Sequence, residues 1–208
     1  MFKWLTSLFS AAAQFADDAD VWATYHKLHP ALGDRVRLGS VRLGKNTRYF
    51  CAVSMRGRQM RPSTGRLMTA KTFYFAGPTA NGGFESVWRN RPLDYVAAIV
   101  GRSVRDARVT WITLPPPEQP EANLWTRAND CFPDSVTHAS KTDSQVLIVG
   151  AGTAGHAASV KQIGMNVWTI TDATRQTGTR YEGVENIYYL ANRVLPNAPS
   201  DSVILLEV

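Results

Sequence analysis

Three glycines, one aspartate and a run of arginines are the parts of this sequence whose types and spacing could do chemistry. Gly150, Gly152 and Gly155 follow the apolar run "QVLIV", and Asp172 lies 22 residues after Gly150. In a strand–turn–helix, the first glycine of this spacing allows a tight turn, the second lets a ligand approach the backbone, and the third lets the helix pack on the strand. The helix N-terminus then offers free N–H groups to an anion, and Asp172 would accept hydrogen bonds from a ribose. The spacing therefore predicts a cofactor site at Gly150, Gly152, Gly155 and Asp172.

The second candidate is a basic span. No acidic residue occurs between Asp34 and Glu85, and Arg35, Arg37, Arg42, Lys45, Arg48, Arg56, Arg58, Arg61, Arg66 and Lys71 all fall there. Neutralising phosphates is the commonest reason to concentrate arginine in this way. Arg35, Arg37, Arg42, Arg56, Arg58, Arg61 and Arg66 are the expected nucleic-acid contacts, with Tyr49, Phe50, Phe73 and Tyr74 as stacking surfaces. An acidic protein partner, or a plain solvated face balanced by acids such as Asp17, Asp18, Asp20, Glu118 and Glu121, would use the same residues. The span carries no RRM, KH or zinc-finger signature.

Bulk composition narrows the classes. The 208 residues are 44% hydrophobic and 19% charged, a globular composition, with a net charge of +6 that favours an anionic partner. Cys51 and Cys131 form no CxxC pair and the four histidines are scattered, so no metal site is expected. No apolar run is long enough to predict a membrane-spanning helix. The opening "MFKWLTSLFSAAAQFA" predicts an amphipathic helix that docks on the body or on partner subunits, with a signal peptide or membrane-surface helix as the other readings. The expected location is cytoplasmic, or within a virion or nucleoprotein assembly.

The elements that must position these residues follow from periodicity. A helix is expected over 18–28, stopped by Pro30. "RVRLGSVRLG" reads as a hairpin or meander of strands, and "TRYFCAVSM" and "AKTFYFAG" as two more. Alternation would put Arg35 and Arg37 on one face, and "SMRGRQMRPSTGR" would be a flexible basic loop. A helix over 92–107 and the strand "VTWITL" come next, then "PPPEQP" breaks regular structure, and residues 132–144 read as a linker. From 145 the pattern is βαβ: strand "QVLIVG", helix "TAGHAASVKQIG", strand "NVWTIT", then strand candidates "ENIYYLA" and "SVILLEV". The expected fold is mixed α/β. It has an N-terminal helical segment over 1–30, a basic strand-rich region with one helix over 31–143, and a Rossmann-like βαβ segment over 144–208.

"VLIVGAGTAG" resembles the dinucleotide-binding unit of FAD and NAD enzymes, and also the first motif of class I S-adenosylmethionine-dependent methyltransferases. The later "VENIYYLANRVLPNAPSDSVILLEV" is similar to the methyltransferase run, through Leu195, Pro196, Asp201 and the apolar residues 203–206. "VGAGT" is also similar to the FxGxGT motif of circularly permuted DNA methyltransferases. Their catalytic [DNS]PP[YF] would fall at "LPPP", where Leu114 and Pro117 replace its polar and aromatic residues. Ile148 and Asn192 stand where the family has acidic residues. The likeness covers at most residues 144–208.

The resemblance implies S-adenosylmethionine as cofactor, with FAD or NAD as alternatives, and a methyltransferase-like protein that acts on or binds nucleic acid, active or inactive. The basic span and the missing catalytic residues point to a non-enzymatic structural component of a viral or nucleoprotein complex. An FAD- or NAD-binding protein is the third reading.

Overall fold

The computed structural model describes residues 19–43, 45–77, 108–113, 131–151, 154–173, 177–196 and 203–208. These form three α-helices, one 3-10 turn and ten strands. Helix α1 is Ala19–Leu32, α2 is Cys131–Thr142 and α3 is Ile187–Val194. The chain divides into two compact units, Met1–Ser54 with Tyr74–Trp125, and Met55–Phe73 with Thr126–Val208.

In the first unit, β5 (Arg108–Ile112), β1 (Val36–Leu43) and the first half of β2 (Asn46–Arg61) pair in that order, all antiparallel. β4 (Lys71–Gly77) also pairs with β2. Val21, Tyr25, Leu28 and Leu32 recur at helical spacing on α1 and are all buried, which is why this segment is a helix docked against β1. The helix runs through Pro30 rather than stopping before it. Proline removes a donor only in the final turn, and Arg35 in the 3-10 turn Gly33–Arg35 donates to the terminal carbonyls of Ala31 and Leu32 at 3.3 and 3.2 Å. On the sheet face that carries Val41, Phe50 and Ala52, the Phe50 ring lies over Gly39, its directly opposite residue. "RVRLGSVRLG" is therefore one strand with a glycine seat for an aromatic ring, not a hairpin of its own.

The second unit holds the glycine motif, and here the expected βαβ segment is corrected. The second half of β2 pairs with β10 (Val203–Glu207). The sheet continues through β6 (Gln145–Ala151), β7 (Ala154–Gly164), β8 (Val167–Asp172) and β9 (Thr177–Tyr181), and every one of these pairings is antiparallel. "AGHAASVKQIG" is strand β7, not a helix. Its alanines favour a helix in isolation, but here its backbone forms ladders with β6 on one edge and β8 on the other.

The double burial that suggested a parallel sheet is real. Leu147, Val149, Ala158, Val160, Val203 and Leu205 on one face pack with Ile187, Leu190 and Ala191 of α3. Lys161 leaves the opposite face and reaches the Thr142 carbonyl at the C-terminus of α2 at 2.9 Å. Helices on both faces make β6 continuously apolar, whatever the strand direction. Each large side chain buried there contributes about 1.5–3 kcal/mol.

Three further expectations are corrected. Residues 132–144 are not a linker, because Phe132, Val136 and Ala139 give α2 a buried face. "ENIYYLA" is not a strand: Ile187, Leu190 and Ala191 recur at helical spacing, and the Asn186 side chain caps α3 by accepting from the Tyr189 amide at 3.0 Å. Arg56, Arg58 and Arg61 lie on β2 rather than in a loop. β2 turns back at residues 62–65 into β3 (Arg66–Leu67). The helix expected over 92–107 and the N-terminal amphipathic segment lie outside the described residues.

Candidate nucleic-acid interface

The glycine motif sits at a hairpin end. Gly150 pairs with Gly155 and Ala151 with Ala154, so the chain turns from strand to strand. Gly150 has φ 116, a backbone that favours glycine. Gly152 lies outside the described residues. Ala154 and Gly155, expected to open a helix toward an anion, lie instead in the antiparallel ladder, so the helix N-terminus on which a dinucleotide or S-adenosylmethionine cradle was expected is replaced by a strand. Asp172, at the end of β8, is half-buried with its carboxylate 3.3 Å from Nε2 of His156 on β7. This pair can hold or orient a proton, but among the described residues no Ser, Thr or Cys is hydrogen-bonded to His156. No group of three or more potential metal ligands occurs among the described residues.

The seven arginines do not share one face. Arg35 is used to cap α1. Arg37 lies 4.1 Å above the Trp111 ring as a cation–π pair. Arg42 is exposed, five positions along the same strand and therefore on its other face. Arg56 is 3.8 Å from Glu207, and Arg58 is half-buried.

Arg61 and Arg66 differ from these. They are directly opposite in the β2–β3 register, both are exposed, and neither has an ion-pair partner among the described residues. Lys71 lies close by, its ammonium donating to Gln59 on β2 at 3.2 Å. Adjacent to Arg66 is a cleft of about 390 Å³ between the β2–β3 turn, the β7–β8 hairpin and the start of α3. Thr64, Arg66, Gln162, Asn166, Trp168 and Asn186 are among its lining, and Glu185 is its carboxylate.

Beyond Asn186 a second depression, of about 280 Å³, runs along the exposed side of α3 past Tyr188, Tyr189, Asn192 and Arg193. Arg193 donates to the Tyr189 hydroxyl at 2.7 Å and lies 4.8 Å from the Tyr189 ring centroid and 5.8 Å from that of Tyr181. The bond to Tyr189 raises its guanidinium further above the usual range. Reading "ENIYYLA" as a strand candidate passes over these α3 residues. The signal that finds them is an asparagine cap followed by apolar residues at 187, 190, 191 and 194.

Comparison of the chain with protein-family models, with curated proteins and with solved structures finds no match.

Proposed function

We propose that this protein is a non-enzymatic nucleic-acid-binding component that grips phosphates through the β2–β3 hairpin. The observation that carries the reading is the Arg61–Arg66 pair. Like charges directly opposite on neighbouring strands repel, and no acidic residue within 35–84 offsets them. A bound phosphate backbone removes that repulsion and releases counterions as it does so. A binding role is favoured over methyl transfer because the glycine motif turns between two strands, not from a strand into a helix.

The test is a salt titration of binding to a short DNA, as single strand and as duplex, followed by fluorescence anisotropy. Affinity should fall steeply with salt, and neutralising both arginines (Arg61→Gln with Arg66→Gln) should flatten the logarithmic slope by about 2. Binding with an unchanged slope in the double variant, or no binding to either form at low salt, overturns the reading.

A further inference from the structure

We infer that the cleft beside Arg66 and the tyrosine face of α3 take single-stranded nucleic acid, with one unpaired base in the cleft and a neighbouring base on Tyr188. This rests on the phosphate-binding reading and names the form of nucleic acid that the same surface selects. Arg61 and Arg66 would meet the backbone. The cleft next to them has the volume of a small-ligand site, about 300–1,000 Å³. Its lining suits a nucleobase. Trp168 is a half-buried aromatic wall, and Asn166 and Gln162 bring amide groups. Asn186 uses its oxygen on the Tyr189 amide, which leaves its NH₂ without a partner among the described residues. Glu185 supplies an acceptor for exocyclic or ring N–H donors such as those of cytosine or guanine. A carboxylate would be out of place on a pure phosphate track, but it is useful where a base edge is read.

Along α3, Tyr188 is 41% exposed and Tyr189 38%, although both are large aromatics on a helix whose other face is core. Arg193 holds the Tyr189 ring in place and adds positive charge beside it. Aromatic rings next to fixed cations stack bases of any sequence. The bases of a duplex are already stacked and paired, so they can enter neither place. The chemistry therefore selects a single strand.

The full chain is titrated with a labelled oligocytidylate of about 12 nucleotides and with a DNA duplex of the same length. The wild-type protein should bind the single strand about tenfold more tightly or better. Tyr188→Ala should weaken single-strand binding about fivefold or more and leave duplex binding unchanged, while Tyr188→Phe, which keeps the ring, should restore it. Tyr188 is exposed, so the fold should survive, which circular dichroism checks. Arg61→Gln with Arg66→Gln should weaken both ligands alike. Equal affinity for the two forms, or single-strand binding indifferent to Tyr188→Ala, overturns this inference while salt-dependent binding to both stands. Loss of all salt-dependent binding in the wild-type protein instead removes the reading on which it rests.

Discussion

Arg61 and Arg66 are like charges held opposite each other by the β2–β3 register, an arrangement that costs stability and gains a binding site. Stability and function should therefore separate at this pair. Arg66→Glu creates a cross-strand ion pair and should stabilise the protein by about 0.2–1 kcal/mol in urea denaturation, while it weakens nucleic-acid binding. A second prediction at this scale concerns the thiols. Cys51 is fully buried and burial pushes its thiol far up, whereas Cys131 is half-exposed, and the two form no disulfide with each other. Alkylation of the native protein near neutral pH should modify Cys131 and spare Cys51 until denaturant is added, as intact-mass spectrometry would read. Of the site residues, the arginines were legible in the sequence because an acid-free span is visible in one dimension. Which two of them lie opposite each other was not, because register depends on where β2 turns back.

Strand pairing and turn chemistry explain both what the local sequence disclosed and what it hid. The apolar run of β6 and the strands β8 and β10 were readable, since buried strands are rich in branched aliphatic residues. β7 was not, because an alanine-rich segment has no period of its own strong enough to resist two neighbouring strands. The local signal was the turn that follows it. Gly164 pairs with Val167 across Met165 and Asn166, and Asn166 has φ 57. Asparagine tolerates that conformation and β-branched residues do not. Asn166→Gly should hold or raise the unfolding midpoint, and Asn166→Val should cost about 1–2 kcal/mol. Gly39 makes the same point in the first unit. A Cβ there would overlap the Phe50 ring, so Gly39→Ala should destabilise by about 1–3 kcal/mol in the same assay.

For the molecule as a whole, pH dependence should come from α1. His26 is half-buried, and its Nε2 is enclosed without a hydrogen-bond partner among the described residues. Its ring stands edge-on to Trp22 at 4.4 Å and to Tyr25 at 5.7 Å, on the helix that also carries His29. Burial first, and then the charge of His29, lower its pKa below the ordinary 6.5. The unfolded chain therefore binds this proton more readily than the folded one. His26 costs no stability above about pH 6.5, and the fold weakens as pH falls through that value toward the lowered folded one. Urea midpoints at about pH 7.5 and about pH 5.5 should show this loss, and His26→Phe should reduce it.

The sequence by itself determined the mixed α/β composition, the positions of most buried strands, the excess of cations and the span that carries no acid of its own. Those properties depend on residue type and short-range period, which survive without any knowledge of partners. Only the tertiary structure decided strand direction, and with it the meaning of the glycine motif. Double burial by helices makes an apolar strand look the same in a parallel or an antiparallel sheet. Gly150 and Gly155 permit a turn into either a helix or a returning strand, because glycine imposes no preference of its own. The choice was made by what lies beside β7, namely β6 and β8, and that contact is invisible until the chain has folded.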